Sequence, residues 1–330
     1  MKAQIIKEFG DPAVFELVAI PKPALKPGHV LVKVAATSVN QIDCKIRRGA
    51  VPAIAPDFPA ILHGDVAGTI EEVAADVSSF KKGDEIYGCA GGLKSSGGAL
   101  AEFMLVDAKL IANKPKSLTM LEAAALPLVS ITAWEALFMK TKLTEKNTIL
   151  IHGGVGGVGH IAVQLAKWRG ANVTATVRKN DDIALAKSLG AQEVVNAEKD
   201  SVESYIERLT DNLGFDVVFD TVGGSNLDKS LLAAGLNASV VTTAARSTHD
   251  LTPMHNKALS LHVVFMLLPI LKNQNRQAYA EILSRIAEIV DEGKLKPLID
   301  PHTFTLETIA DAHRLVESGK SRGKVVISIA

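Results

Sequence analysis

Residues 148–170 read TILIHGGVGGVGHIAVQLAKWRG. A short β-favouring run enters Gly154-x-Gly156-x-x-Gly159, and a helix-forming stretch follows as far as the stop signal at Gly170. Each glycine of such a strand–turn–helix has a task in holding a dinucleotide. The first admits a tight turn, the second lets backbone approach a pyrophosphate, and the third closes helix onto strand. The helix N-terminus adds unpaired N–H groups and a partial positive charge. The candidate cradle is therefore the backbone of Gly154, Val155, Gly156, Gly157, Val158 and Gly159. His160 stands where a P-loop carries lysine, which argues against a nucleoside-triphosphate site. A glycine-rich turn without a ligand is the plain alternative.

The next strand, Val173–Val177, ends in Arg178-Lys179-Asn180. An NAD site usually places an acid about 20 residues beyond the loop to bind the ribose hydroxyls. Here the strand end is basic, and the planar fork of Arg178 suits a 2′-phosphate. Asp181 and Asp182 read as acids at a helix start. NADPH is expected over NADH, with Arg178 and Lys179 as cofactor residues; otherwise they are solvated loop charges.

Upstream, from Met1 to about Ala112, short strands are separated by turn chemistry. His29–Val39 (HVLVKVAATSV) alternates as a half-buried strand does, and Val66–Val73, Asp84–Tyr87 and Leu100–Val106 read similarly. The separators are PKPALKPG at 21–28, a proline-rich run from Pro52 to Pro59, and GGLKSSGG at 91–98. Thr119 with Glu122 makes a capping-box pattern, and the texture changes there. As far as about Leu268, helical segments alternate with six strands: Thr148–His152, Val173–Val177, Glu193–Asn196, Asp216–Asp220, Ser239–Thr243 and Leu261–Met266. This alternation predicts an α/β fold, a doubly wound Rossmann sheet of six parallel strands.

Helices at Tyr279–Glu292 and Leu306–Ser318 and a strand at Lys324–Ile329 fall outside that alternation. The C-terminus is therefore predicted to complete the β-rich domain. The expected division is 1–122 with 270–330 for that domain, and 123–269 for the Rossmann domain.

Composition narrows the function classes. Of 330 residues, 47% are hydrophobic and 22% charged, a globular mixture. Lys plus Arg and Asp plus Glu number 36 each, so no bulk attraction to nucleic acid or an anionic membrane is available. Two cysteines, Cys44 and Cys89, make neither a disulfide framework nor a four-cysteine zinc site. No signal peptide is visible, and the most apolar stretch, Leu259–Leu271, falls short of the roughly 18 residues of a spanning helix. A soluble, cytoplasmic protein is expected.

Seven motifs carry a resemblance across nearly the whole chain: AATSVNQID (35–43), HGDVAG (63–68), FKKGDEIYG (80–88), GGALAEF (97–103), ALPLVSITAWEAL (125–137), DVVFDTVGG (216–224) and HRLVESGKSRGKVVI (313–327). The chain resembles the medium-chain dehydrogenase/reductase superfamily, and within it the zinc-independent quinone oxidoreductase (zeta-crystallin-like) group. The resemblance implies a GroES-like fold for the β-rich domain and a homodimer. Zinc alcohol dehydrogenases of this superfamily have cysteine where this chain has Asn40 and His-Glu where it has Gly64-Asp65. His63 is one residue out of register with the zinc histidine and reads as a partly buried turn histidine. No metal is expected.

Without a Lewis acid to hold an alkoxide, hydride delivery suits an acceptor that spreads the charge itself. The resemblance implies NADPH reduction of a quinone. The alternatives are reduction of the C=C bond of an enone or alkenal, or a non-catalytic NADPH-binding sensor or partner-binding protein. By the same resemblance, Asn40 donates to the developing oxyanion and Asp43 orders its loop. Lys45 either polarises the carbonyl or is a surface charge. Thr132, Thr221, Val222, Phe265 and Leu267 line the nicotinamide, the last two through backbone of a strand that also pairs across the dimer. The glycine-rich loop 91–98 is a candidate rim of the substrate mouth, and Arg322 and Lys324 are lesser candidates for the pyrophosphate.

Overall fold

The N-terminal strands are β1 (Lys2–Ile5), β2 (Glu16–Ala19), β3 (His29–Val39), β4 (Asp65–Val73), β5 (Glu85–Cys89), β6 (Phe103–Asp107) and β7 (Ile111–Asn113). The second group is β8 (Thr148–Ile151), β9 (Asn172–Val177), β10 (Glu193–Asn196), β11 (Phe215–Asp220), β12 (Ala234–Thr242) and β13 (Ser260–Val263). The chain ends with β14 (Phe304–Thr305) and β15 (Val325–Ser328). This computed structural model describes residues 1–94 and 96–329. It divides into two compact units, Met1–Ile131 with Leu267–Ala330, and Thr132–Met266.

In the first unit the strand order is β14-β15-β3-β4-β5-β7, with β6 also on β3. β3 pairs with β4 along most of its length, with β6 over His29–Lys33, and with β15 over Ala36–Val39. It is buried nearly throughout, Lys33 alone being exposed, so the alternation in its sequence does not mark a wet face. The C-terminal segment does complete this sheet, through β14 and β15. Thr119 caps its helix (Met120–Ala124) by a reciprocal capping box with Glu122. That helix packs on β3 and β4, which keeps it in the β-rich unit and moves the boundary past the expected residue 122.

The second unit is a parallel six-stranded sheet in the order β10-β9-β8-β11-β12-β13, with every neighbouring pair parallel. This is the doubly wound order, whose strand order reverses at β8 and β11. The core on one face gathers Leu150, Val218, Val240, Leu227 and Leu231 with Tyr205 and Phe215. The last strand is shorter than expected: β13 ends at Val263, and Val264–Leu267 continue as loop and turn. Among the described residues, no helix is long and apolar enough to cross a membrane.

Candidate functional site

In the glycine loop, β8 ends at Ile151, and Gly153 follows with φ +68°, in the left-handed region. A Cβ on Gly154 would lie 2.7 Å from the Ala175 Cβ of β9, and one on Gly159 would lie 2.0 Å from the Gly153 carbonyl oxygen. The protein's own packing therefore demands both glycines. Gly156 is different, since the only atom within 4 Å of its Cβ position is the Gly153 oxygen at 3.1 Å. Its bare Cα leaves room for something outside the chain to approach. The helix Gly159–Arg169 begins at this point and is closed by Gly170 in the left-handed conformation. His160 Nδ1 bonds the Gly156 carbonyl at 2.9 Å, tying the helix start to the loop. This cradle fits a dinucleotide diphosphate.

Around the loop, the ends of the strands are stitched together. Gly153 N–H donates to Thr176 Oγ1 at 3.1 Å, and Thr221 Oγ1 donates to the His152 carbonyl at 2.6 Å. The buried Asp220 carboxylate accepts from Val222 N, Gly223 N, Asn226 Nδ2 and Thr242 Oγ1. Val222 is exposed, whereas the Thr221 hydroxyl is turned into the protein. Thr132 is buried on the helix Pro127–Trp134. Arg178 and Lys179 follow β9 directly and are exposed. Asp181 and Asp182 lie in the turn that opens the helix Ile183–Leu189. Phe265 and Leu267 follow the shortened β13 at its carboxyl end, outside the strand.

A second constellation lies in the β-rich unit, and strand register assembles it. Val325 of β15 is opposite Val39 of β3, which brings the preceding Lys324 beside Asn40. Ala67 of β4 faces Ala36 of β3, and Asp65 thereby reaches the same end of the sheet. Lys324 Nζ donates to the Val39 carbonyl and to Asn40 Oδ1, and lies 3.5 Å from Asp65 Oδ2. Asp65 Oδ2 also accepts from Asn40 Nδ2 and Ser38 Oγ, both at 2.8 Å, and Oδ1 accepts from Leu128 N at 2.9 Å. The amide of Asn40 is thus fixed in orientation: its oxygen is committed to Lys324 and one N–H to Asp65. Asp43 Oδ2 accepts from Asn40 N at 2.7 Å and holds the turn into the helix Gln41–Arg47. Burial pushes the Asp43 carboxyl up to about 7. Lys45 is half-buried on the same helix.

Two expectations need correction. Lys324 is enclosed in this network and is not a pyrophosphate ligand. His63 is fully buried rather than partly so, with φ 74°, and its Nε2 is 2.9 Å from His313 Nε2. Arg47 Nε donates to His313 Nδ1, so the proton of His313 sits on Nε2 and is given to His63. His63 then gives its Nδ1–H to Thr37 Oγ1, whose hydroxyl donates to the Asp65 carbonyl at 2.5 Å. Burial lowers both imidazoles, His313 to about 3.

The donors of this cluster do not fit a metal ion. Asn40 and Asp65 already surround an ammonium group, both nitrogens of His63 are bonded, and burial pushes the thiols of Cys44 and Cys89 upward. Among the described residues, no group of three or more His, Cys, Asp or Glu is arranged to hold one. Of the 91–98 loop, Ser95 lies outside the described residues.

Sequence reasoning missed Asp220 as the organiser of the loops after β11 and β12. Its signal was an acid closing an apolar strand before the Thr-Val-Gly-Gly turn. It also missed Asp228, Ser247 and His249, where His249 Nδ1 is 2.8 Å from Asp228 Oδ1 and Nε2 is 2.5 Å from Ser247 Oγ. Asp228 and His249 are 21 residues apart, and no local pattern connects them.

Comparison with known proteins gives concordant matches. Residues 26–116 match the alcohol dehydrogenase GroES-like domain family, and residues 189–327 match the zinc-binding dehydrogenase family. The chain is 34% identical to 2-methylene-furan-3-one reductase of Solanum lycopersicum, over 99% of this chain and 79% of that protein. It is 31% identical to the chloroplastic NADPH-dependent alkenal/one oxidoreductase of Arabidopsis thaliana, over the same shares of each. The solved quinone oxidoreductase of Coxiella burnetii superposes with a TM-score of 0.86 at 29% identity, covering 100% of this chain and 99% of that one.

Proposed function

Because the chain belongs to the medium-chain dehydrogenase/reductase superfamily, in its quinone oxidoreductase-like group, we propose that it is an NADPH-dependent, metal-free reductase of a quinone. NADPH supplies a hydride at the nicotinamide ring when bound. The chain's own residues bind and orient. The glycine loop and the following helix start receive the diphosphate, and Arg178 with Lys179 receives the 2′-phosphate. The carboxyl ends of β11 and β12, held by Asp220, form the edge where open sheets of this kind bind ligand. By resemblance to that group, Asn40 donates to the acceptor oxygen as negative charge develops.

The observation that carries the metal-free reading is the Lys324 ammonium among Asn40, Val39 and Asp65. A buried cation already occupies the donors a dication would need, and two positive charges at that spacing repel strongly. Chemistry then rests with an acceptor that delocalises charge without a Lewis acid. The second reading is C=C reduction of an enone or alkenal, favoured by the names of the tomato and Arabidopsis relatives. Both acceptors take up one hydride and one proton. NADPH oxidation in the presence of a chelator tests the proposal, with a small quinone and an alkenal compared and NADH as control. Chelator-resistant turnover that prefers NADPH is the expected result, and the faster acceptor ranks the two readings. Loss of activity on chelation would overturn the metal-free assignment, and tight NADPH binding without turnover of either acceptor would favour a sensor.

A homodimer is part of the same proposal. β13 is the last strand of its sheet and pairs, among the described residues, with β12 alone. Its Val263 is exposed. An open edge of this kind supports strand pairing with a second copy. Light scattering tests it, and a monomeric mass at micromolar concentration would end it.

A further inference from the structure

Hydride addition to a quinone or an enone leaves an anion that must be protonated. Ser247, His249 and Asp228 form a connected line of proton-carrying groups. Asp228 lies in the first turn of the helix Asn226–Ala233 that follows β11, and the other two lie on the segment leaving β12. The His249 side chain is only 8% exposed and is held at both nitrogens, by Asp228 Oδ1 at 2.8 Å and Ser247 Oγ at 2.5 Å. Ser247 itself is exposed. A carboxylate on Nδ1 fixes the imidazole tautomer and orientation, and leaves Nε2 to exchange a proton with the hydroxyl.

The two loops that carry these residues share one rim. Asp220 holds the turn after β11 and Thr242 at the end of β12, and Thr242 Oγ1 accepts from Ala244 N. The two loops touch so closely that a Cβ on Gly223 would lie 2.5 Å from the Ala244 Cβ. In a doubly wound sheet the first three strands serve one mononucleotide half and the second three serve the other. The glycine loop takes the diphosphate at β8, so the rim above β11 and β12 belongs to the nicotinamide half.

We propose that Ser247, His249 and Asp228 are the proton relay of this enzyme, delivering the one proton that follows the hydride. The relay rests on the reductase reading given above. In its loaded form His249 is protonated on both nitrogens, with Nδ1–H on Asp228 and Nε2–H on Ser247 Oγ. The hydride brings two electrons and one hydrogen to the acceptor, giving the hydroquinone anion or the enolate. The Ser247 O–H bond breaks toward that anion as the His249 Nε2–H proton passes to Ser247 Oγ. The product leaves neutral, and so does the imidazole, still bonded to Asp228 through Nδ1–H. Water returns a proton to Nε2 through the exposed Ser247 hydroxyl once product has gone.

The test uses the whole NADPH-loaded protein and whichever acceptor the wild type reduces. His249→Ala and Ser247→Ala are each expected to lower kcat by about 100-fold or more, the usual scale of general acid catalysis, with acceptor KM little changed. Imidazole added to His249→Ala restores part of the lost rate, which a residue that merely braces a loop would not allow. With an α-substituted enone in D2O, wild type places deuterium on one face of the α-carbon and His249→Ala places it on both. In the protein without cofactor, 15N spectra should show Nδ1–H and an acceptor Nε2 for neutral His249, and Asp228→Asn should disturb that pattern. Unchanged kcat in both alanine variants, or a loss that imidazole does not relieve, would overturn the relay while leaving the reductase reading intact. A wild type that turns over neither acceptor would overturn both.

Discussion

Lys324 Nζ lies 3.5 Å from Asp65 Oδ2 in a place where neither side chain reaches solvent, at 3% and 0% exposure. The pairing of β15 with β3 puts an ammonium group there, and Asn40, Val39 and Ser38 satisfy what the ion pair leaves over. Taking two charges out of water is costly, and such a pair is retained only with further hydrogen bonds of this kind. Burial depresses the Lys324 pKa, with Asp65 and Asp43 opposing the shift. Removing one partner strands the other. Lys324→Met is therefore expected to lower the urea-unfolding free energy by about 3–5 kcal/mol. Lys324→Met with Asp65→Leu should recover a large part of it. A single-variant loss below about 1 kcal/mol, the value of an exposed pair, would show the pair to be hydrated.

The glycines at 156 and 159 should part company when substituted. At Gly159 a Cβ meets backbone at 2.0 Å and cannot be accommodated by a side-chain shift, so Gly159→Ala should lower Tm measurably. At Gly156 the one neighbour within 4 Å is at 3.1 Å, which a small adjustment relieves. Gly156→Ala should keep the wild-type Tm and lose NADPH affinity, read by cofactor fluorescence. Equal Tm losses in the two variants would mean that Gly156 serves the fold and not a ligand.

The sequence carried the dinucleotide fold because each of its signals is local. The residues from Thr148 to Gly170 hold strand, turn and helix within one window, and strands Glu193–Asn196 and His29–Val39 fall on the residues their composition indicates. The buried cluster was not readable in this way. Lys324 and Asn40 are 284 residues apart, and His63 and His313 are 250 apart. Only the register of β15 on β3 and the packing of the C-terminal helix bring them together. A buried lysine also looks like any surface lysine until its burial is known. The same holds for Asp228 and His249, joined across the ends of two strands.

The base at the end of β9 should set cofactor choice. Arg178 and Lys179 follow the last buried residue of the strand, and the acids Asp181 and Asp182 come after them. A charge-assisted bond to a 2′-phosphate is worth about 1.5–3 kcal/mol. Arg178→Ser should weaken NADPH binding by about 10-fold to 100-fold while NADH affinity changes little. Paired titrations of the two cofactors give the answer. An equal loss for both would place Arg178 away from the 2′-phosphate.

Two of the buried titratable groups, His313 and Asp43, give opposite pH dependences. His313 is held neutral by burial and by the Arg47 charge, with its pKa lowered from 6.5 to about 3. Its contribution to stability is complete above pH 6.5 and is lost as pH falls toward 3, because the unfolded chain takes the proton first. Asp43 is raised by burial from 3.8 to about 7, against the bond from Asn40 N. Its contribution is complete below pH 3.8 and is lost as pH rises through 7, because the unfolded chain then releases the proton first. Urea-unfolding free energies of wild type, His313→Gln and Asp43→Asn between pH 4.5 and 8 separate the two. Relative to His313→Gln, wild type should lose stability on acidification below pH 6.5, with a slope of up to ~1.4 kcal/mol per pH unit for one proton. Relative to Asp43→Asn, wild type should lose stability in the other direction, between pH 4.5 and about 7, and then level off. The two trends cross in the wild-type profile and partly cancel, so only the differences are diagnostic. A wild-type-minus-variant difference that stays flat with pH would show that the corresponding group titrates alike in the folded and unfolded chain, and therefore that water reaches it.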